Sequence, residues 1–539
     1  MNLMFYEKRV CFIYCVIVAL SAMLLARLYN LSNPDVNESL SVLDGQYTAR
    51  IEVASRSGFV YDTNGYLMSH EKTGKVALVN PAECGDVLVA ADKLSDFSLV
   101  YSASDIYEKI MDGVPFTLVL SKNAENIGLE GVHVFDTFDE RNDVAKHFMG
   151  YNSGGVGVSG LRSEYHELLN KTLHSSVTAV YDTNAKRESL SSIVVDDDLY
   201  NQSCGIVTTI DLDIQAFCDG LRDKIKSGAV VISDVNTGYI LAMSSFPDYD
   251  VNNIASVLAS DKGELINRVL SSFTPGSVFK MIVAAAALEY DESLYDFTYT
   301  CTGSIEIDGN VFRCHKEAGH GEISMKEAFS NSCNTYFISL GERIGLDTIA
   351  DTMRSLQLDK ATTADFLTER ESFFVDEKNT RPGYLANISF GQGDLCLSPL
   401  DMVRVTSAVS TGTLCQLSSI RGYVENGVFG QEKEIKRQRI FSRSTAEKMR
   451  ILMKECITSG TGRQARADTV ECGGKTATAQ TGRYDENGVE YVHKWFCGVV
   501  PAEAAKFSVC ILLDFSTETE LSPAVVFKEI SEFLQEKGF

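Results

Sequence analysis

The first long apolar run of the chain, VCFIYCVIVALSAMLLA from Val10 to Ala26, holds 17 residues without a charge. That length reaches the lower end of what spans a bilayer core. Lys8 and Arg9 precede it, so the excess-positive side, and with it the tail of residues 1–9, is expected in the cytoplasm. The run is longer than the usual apolar region of a cleaved signal, and no A-x-A site follows it, so it reads as a retained single-pass anchor over 10–26. No comparable run comes later, which leaves residues 30–539 outside the membrane. Further on, Arg56 to Met68 reads as two short strands around a turn at Asn64-Gly65, and residues 70–200 mix helical and strand patterns without a repeat. A Gly-rich run from Gly150 to Gly160 precedes a helix expected over Ser163–Leu173. A new unit starts near Ile206. Ala229–Asp234 and Tyr239–Ser245 are apolar strands joined by Val-Asn-Thr-Gly, a hairpin signal, and Pro275–Glu289 is an apolar helix. Trp495–Val500 and Phe507–Phe515 again have strand character, and Ala524–Lys537 has helical spacing. Strand runs and helix runs are not strictly alternated, which predicts an α+β fold.

The 539 residues correspond to about three domains at the usual domain size. With 45% hydrophobic and 23% charged residues the chain has the composition of a folded protein with a large core. Lys and Arg number 49 against 73 Asp and Glu, a net charge of −24, which excludes nucleic acid as a main partner by its sign. Fourteen cysteines are too sparse for a disulfide scaffold and too many to ignore.

Three short constellations carry candidate chemistry. In Thr274-Pro-Gly-Ser277-Val-Phe-Lys280, Thr274 suits an N-cap and Pro275 a first helical position, so Ser277 and Lys280 share one face of a first helical turn. The apolar helix behind them buries Lys280, and a buried lysine loses its proton readily and serves as base for a serine nucleophile. A second Ser-x-x-Lys, Ser69 to Lys72, has neither cap nor apolar helix and is set aside. Ser332-Cys333-Asn334 places a hydroxyl and an amide two apart on one turn, suited to a proton shuttle and to holding a substrate amide. The stretch Cys472-Gly-Gly-Lys475-Thr476-Ala477-Thr478 reads as an edge strand. There Lys475 and Thr476 suit a carboxylate, free backbone N–H groups suit an extended peptide, and the N–H groups of Thr478 and Ser277 suit an oxyanion.

Taken in order, Ser277-x-x-Lys280, Ser332-x-Asn334 and Lys475-Thr476-Ala477 resemble the three motifs of the penicillin-binding proteins and serine β-lactamases. A literal Lys72-Thr73-Gly74 stands before the serine, in the wrong order. The resemblance extends over roughly residues 50–535. Arg56-Ser-Gly-Phe-Val-Tyr-Asp-Thr-Asn-Gly65 is similar to the opening of the class B pedestal domain, and Gly157-Val-Ser-Gly-Leu161 to a later segment of it, with Arg162 where an acid is usual. Thr209-Ile-Asp-Leu-Asp-Ile-Gln215, Gly391-Gln-Gly393 with Ser398-Pro-Leu400, and His493-Lys-Trp-Phe-Cys-Gly498 with Pro501 resemble further family segments. On these residues the chain is identified as a member of the class B penicillin-binding proteins. The resemblance implies a pedestal over 30–205 and, over 206–539, a transpeptidase domain whose antiparallel sheet is flanked by helices. It also implies peptidoglycan D,D-transpeptidation through a Ser277 acyl-enzyme, with no cofactor required. Lys280 and Ser332 would move protons, Asn334 would orient the donor, and Lys475, Thr476, Ala477 and Thr478 would bind it. The implied partners are peptidoglycan stem peptides, β-lactams, the bacterial membrane and a polytopic glycosyltransferase. Ala477 stands where the family has glycine, which puts a methyl beside the expected donor path. A β-lactamase or β-lactam sensor of the same superfamily, or a non-catalytic wall-assembly scaffold, are the alternative readings.

Cys301, Cys314, His320 and Cys333 form a further constellation, with gaps of 12, 5 and 12 residues. Three thiols and an imidazole suit tetrahedral zinc, although the gaps match no common finger. A Cys301–Cys314 disulfide across a hairpin, or buried free thiols, are the other readings of the same residues.

Overall fold

The structure, a computed structural model, describes residues 48–56, 58–182, 189–197 and 205–538, apart from short gaps at 122–123, 125–126, 142, 170–172, 369–374, 377, 380, 426–427 and 517–520, together with residues 17, 18, 20–24 and 27. The expected anchor at 10–26 therefore lies largely outside the described residues. Those of it that are described are helical and exposed, and among the described residues no helix is long and apolar enough to cross a membrane.

The chain divides into two compact units, both discontinuous in sequence. The first comprises Met1–Arg56, Lys72–Asp139 and Thr172–Gln202. It holds an antiparallel sheet of Thr48–Arg56, Leu173–Asp182 and Ser189–Asp197, and a second sheet in which His70–Val79 lies between Phe116–Leu120 and Val132–Glu140. Helices Val87–Ser95 and Ala103–Met111 bury Ala90, Ala91, Leu94, Ile106 and Ile110 against Ala77, Val79, Leu118 and Leu120 of that second sheet. Both helices start where a side chain meets the free N–H groups of the first turn: Asp86 accepts from Leu88 and Val89, and Ser102 forms a capping box with Asp105.

The second unit comprises Ser57–Glu71, Glu140–Lys171 and Ser203–Phe539. The boundary expected at 205/206 lies within three residues of the start of this unit's third segment, and two earlier segments of the chain belong to the same unit. Phe59–Tyr61 pairs in parallel with Gly205–Thr208, which pairs antiparallel with Ile420–Glu425. The centre of the unit is a five-stranded antiparallel sheet of β1 (Gly228–Asp234), β2 (Ile240–Phe246), β3 (Gly473–Tyr484), β4 (Glu490–Val500) and β5 (Phe507–Ser516), in the order β2-β1-β5-β4-β3. The alternation of side chains sorts these strands into two buried faces. Val230, Ile232, Phe246, Phe496, Val509 and Ile511 join the core that holds the helix Pro523–Glu536. Ala229, Val231, Met243, Trp495, Cys497, Cys510 and Leu512 join the other core, with the helices α1 (Lys280–Tyr290), α2 (Asn334–Ser355) and Pro399–Thr411. Helices on both faces explain why the strands read as continuous apolar runs. α1 is apolar all round because it is enclosed, with every residue from Lys280 to Leu288 buried. The α+β fold and the flanked antiparallel sheet are as the sequence suggests.

Two helix expectations need correction. In place of one helix over Ser163–Leu173 there are two short ones, Gly160–Glu164 and His166–Leu169, because the alternating stretch from Leu173 is taken up by a strand paired with Thr48–Arg56. The apolar helix begins at Lys280, not Pro275. Residues Gly276–Phe279 form a 3₁₀ turn, Pro275 sits at its N-cap without a side-chain cap bond, and Thr274 is not a cap.

Candidate active site

Ser277 is carried on the 3₁₀ turn that leads into α1. The turn is pressed against strand β3. A Cβ on Gly276 would lie 3.2 Å from the Ala479 methyl and 3.4 Å from that of Ala477, and the backbone there has φ +54°. Glycine is what allows both the positive φ and the close approach. From the other side, Gly391 packs on the same peptide: its Cβ would fall 1.9 Å from the Gly276 carbonyl oxygen, at φ +85°. The segment before the serine is pinned as well. Trp495 Nε1 donates to the Thr274 carbonyl at 3.0 Å, and Phe273 exchanges backbone hydrogen bonds of 2.9 Å with Leu397.

Lys280 is fully buried. Its Nζ donates to the Ser332 carbonyl at 2.8 Å and to Asn334 Oδ1 at 2.8 Å, with Ser332 Oγ at 3.3 Å. Burial, reinforced by the nearby charge of Lys475, holds its pKa well below the ordinary lysine value. The Ser332 carbonyl, Asn334 Oδ1 and Ser332 Oγ thus hold the amine on the wall that carries the second motif. Ser332 reaches this position with φ +57°, at the turn before Asn334 opens α2. Asn334 is held at both ends, since its Nδ2 donates to the Arg313 carbonyl at 3.1 Å.

Strand β3 is the sheet's edge, and among the described residues one side of its backbone faces no other strand. Lys475, Ala477 and Ala479 point inward and Thr476, Thr478 and Gln480 outward. Lys475 is fully buried and its pKa is lowered by that burial. The Ala477 methyl is directed at the Gly276 turn and is only 6% exposed, so it acts mainly as packing. Thr476 has a neighbour that no motif marked: Thr461 Oγ1 lies 2.6 Å from Thr476 Oγ1, and Thr461 N and Oγ1 are 3.0 and 3.3 Å from the Ser330 carbonyl. Thr461 thus ties the second motif's wall to the third motif's strand. The glycines either side of it, Gly460 and Gly462, were the available sequence signal for a tight turn there. Ser277, Ser332, Asn334, Thr476, Ala477 and Thr478 all line one cleft of about 1090 Å³, with Lys280 and Lys475 buried in its walls.

Behind the nucleophile segment, buried Arg268 donates through Nε to Asp514 Oδ2 at 3.1 Å, and His493 Nδ1 lies 3.2 Å from Asp514 Oδ1 without hydrogen-bond alignment. Burial opposes ionisation of Asp514, but His493 and Arg268 outweigh it and hold the carboxyl below its usual range. The His493 ring meets the edge of Phe273, so this histidine is structural. Ser69, of the discarded Ser-x-x-Lys, accepts from the Val60 N–H and contacts His70, outside the cleft.

The cysteine constellation assembles. One ligand atom from each of Cys301, Cys314, His320 and Cys333 lies within 4.8 Å of the others. Cys301 ends a strand, Cys314 and His320 bracket a short loop, and Cys333 precedes α2. Cys314 Sγ is 3.5 Å from His320 Nδ1 and 3.9 Å from Cys333 Sγ. The contact between the two thiols makes Cys314 the more acidic of that pair and Cys333 the less acidic. All the described cysteines are free thiols.

Comparison with known proteins agrees with this geometry. The family model described as "Penicillin binding protein transpeptidase domain" matches residues 228–532. Stage V sporulation protein D of Bacillus subtilis is 26% identical over 504 residues, covering 88% of this chain and 76% of that protein. Peptidoglycan D,D-transpeptidase MrdA of Acinetobacter baumannii is 27% identical over 395 residues, covering 66% of this chain and 57% of that protein. A solved structure described as "Structural coordination of polymerization and crosslinking by a peptidoglycan synthase complex" has the same fold, with a TM-score of 0.68 at 20% identity over 97% of this chain and 98% of that one. The chain therefore belongs to the penicillin-binding-protein transpeptidase family, in its class B branch.

Proposed function

We propose that the protein is a peptidoglycan D,D-transpeptidase that cross-links stem peptides through an acyl-enzyme on Ser277. Lys280 takes the Ser277 proton as its oxygen attacks the carbonyl of the penultimate D-alanine. The backbone N–H groups of Ser277 and Thr478 receive the oxyanion. The carbon–nitrogen bond breaks, and the terminal D-alanine leaves with a proton relayed through Ser332. An amine of a neighbouring stem peptide then attacks the ester, loses its proton to Lys280, and frees Ser277. Lys475 and Thr476 bind the donor's terminal carboxylate, Asn334 holds its amide, and the open edge of β3 receives its backbone. The observation that carries this reading is the buried Lys280 amine, held against Ser332 and Asn334 in the wall of the cleft that Ser277 lines. The test is product analysis. Nascent glycan bearing pentapeptides, incubated with the protein, should yield cross-linked dimers with release of D-alanine, and Ser277→Ala should yield none. Hydrolysis of a penicilloyl adduct within seconds, without cross-links, would instead favour a β-lactamase.

We further propose a structural zinc at Cys301, Cys314, His320 and Cys333. Two ligands of a tetrahedral zinc with bonds of about 2.0–2.3 Å lie about 3.5–3.8 Å apart. The distances of 3.5 and 3.9 Å from Cys314 to His320 and Cys333 match that spacing. Cys333 stands between Ser332 and Asn334, so the metal would brace the wall that holds Lys280. Protein purified without added metal should contain about one zinc per chain and lose it in Cys301→Ser; less than about 0.2 per chain contradicts the site.

Residues 10–26 are proposed as the membrane anchor, 30–205 as a pedestal and 206–539 as the transpeptidase region. The likeness to a structure described as coordinating polymerization and crosslinking supports a separate glycan-polymerising partner.

A further inference from the structure

The chain that leads into the nucleophile turn is held at two points, and both lead back to one carboxylate. Arg268, nine residues before Ser277, is buried and donates through Nε to Asp514 Oδ2 at 3.1 Å. Its Nη1 donates to the Gly263 carbonyl at 3.0 Å, which fixes the guanidinium from the other side. Phe273, four residues before Ser277, meets the His493 ring edge-on, with centroids 5.1 Å apart and planes at 76°. His493 Nδ1 in turn lies 3.2 Å from the other oxygen of Asp514. Asp514 therefore holds the approach to the serine twice, once through Arg268 and once through His493 and Phe273.

The sheet is deformed where these groups meet. Between the pairs Lys494–Leu513 and Val492–Ser516, β4 has one residue, His493, and β5 has two, Asp514 and Phe515. This is a β-bulge, a device that re-aims side chains beside active sites. Phe515 has φ +50°, a region that bulky residues rarely adopt. The bulge gives His493 two neighbours from one strand, the Asp514 carboxylate and the Phe515 ring, whose centroid is 6.4 Å away. Successive residues of a regular strand would face opposite ways. Backbone held in so sparse a region persists where its surroundings over-determine it, and such residues collect at functional sites. Neither Asp514 nor His493 is among the described residues that line the cleft, so their effect on the reaction runs through the nucleophile segment.

We infer that His493 is a positioning residue for acylation: seated on Asp514, it fixes the Phe273 ring and, through it, the segment that sets where Ser277 stands in the cleft. This rests on the Ser277 acyl-enzyme reading above. A link of this kind needs both parts of the imidazole, the ring for Phe273 and Nδ1 for Asp514. A side chain that only filled space would need the ring alone.

The test follows acylation of the full-length protein by benzylpenicillin under stopped flow, which separates the apparent dissociation constant from the first-order acylation constant, with melting recorded for each variant. His493→Phe keeps the ring and removes the nitrogen. His493→Asn keeps a nitrogen near the place of Nδ1 and removes the ring. Each should lower the acylation constant about tenfold, part of the roughly 100-fold that a misplacement of about 1 Å costs, and leave the dissociation constant within about twofold. Phe273→Leu should do the same, and His493→Phe added to it should cost little more, because the two residues act in series. An unaltered acylation constant in folded His493→Phe shows plain packing and overturns the inference. Fully multiplied losses in the double variant, or a loss confined to the dissociation constant, overturn it too. Where His493→Phe does not fold, Phe273→Leu decides, and an unaltered acylation constant there overturns the inference. All of these outcomes leave the Ser277 reading intact, whereas failure of the unaltered protein to be acylated on Ser277 overturns that reading and the inference with it.

Discussion

At the scale of single residues, the chemistry turns on Lys280. In the proposed mechanism its neutral form is the base, and burial together with Lys475 lowers its pKa. The rate of penicillin acylation should therefore rise with pH along a limb whose midpoint lies below the ordinary lysine value. Lys475→Ala removes one of the two causes, so it should move that limb to higher pH as well as weaken carboxylate binding. A limb in the same place in Lys475→Ala would show that burial alone sets the base. Thr461 is a second testable residue. Because its hydroxyl touches that of Thr476, Thr461→Val should weaken binding of carboxylate-bearing donors about tenfold with little change in the acylation step, and Thr461→Ser should restore most of it. Loss of the acylation step with unchanged affinity would contradict this. The convergence of Ser277, Lys280 and Asn334 on one site was legible in the sequence because these residues sit at short, fixed spacings. Thr461 was not, because it reaches Thr476 only through the fold.

At the scale of elements, the site depends on how tightly the nucleophile turn is held between β3 and the Gly391 loop. Gly391→Ala would push a methyl into the Gly276 carbonyl and strain a φ of +85°. A displacement of the turn by about 1 Å is enough to cost roughly 100-fold in rate, and the strain itself costs about 1–3 kcal/mol. We expect acylation to fall by about that factor, with a melting shift of only a few degrees, measured by stopped-flow labelling and calorimetry. The strands of the central sheet could be read from apolar runs bounded by turn residues, and β1, β2 and β5 start or end within a residue or two of expectation. The start of α1 could not. Pro275 suits a first helical position, but the contact of Gly276 with β3 imposes a 3₁₀ turn first, and that contact is tertiary.

At the scale of the whole molecule, the unit that holds the cleft is not a continuous piece of sequence. Val60, Met68, Phe148 and Leu161 belong to its main core, and Phe59–Tyr61 is a strand of one of its sheets. A fragment of residues 206–539 loses all of them, so it should melt at least several degrees below the full chain or aggregate, as read by calorimetry and size exclusion. A fragment that matches the full chain in melting temperature would contradict this. Sequence patterns suggested a cut at 205/206 because Ile206 begins a clear run of strand and helix signals; the pairing that crosses the cut joins residues 59–61 to 205–207 and leaves no local mark. The central claim, that Ser277 is the acylated nucleophile of this unit, is tested most directly by peptide mass spectrometry after exposure to benzylpenicillin. The expected result is one penicilloyl group on the peptide containing Ser277, persisting for minutes or longer and absent in Ser277→Ala. An unmodified Ser277 in folded protein, or an adduct on any other residue, would contradict the account.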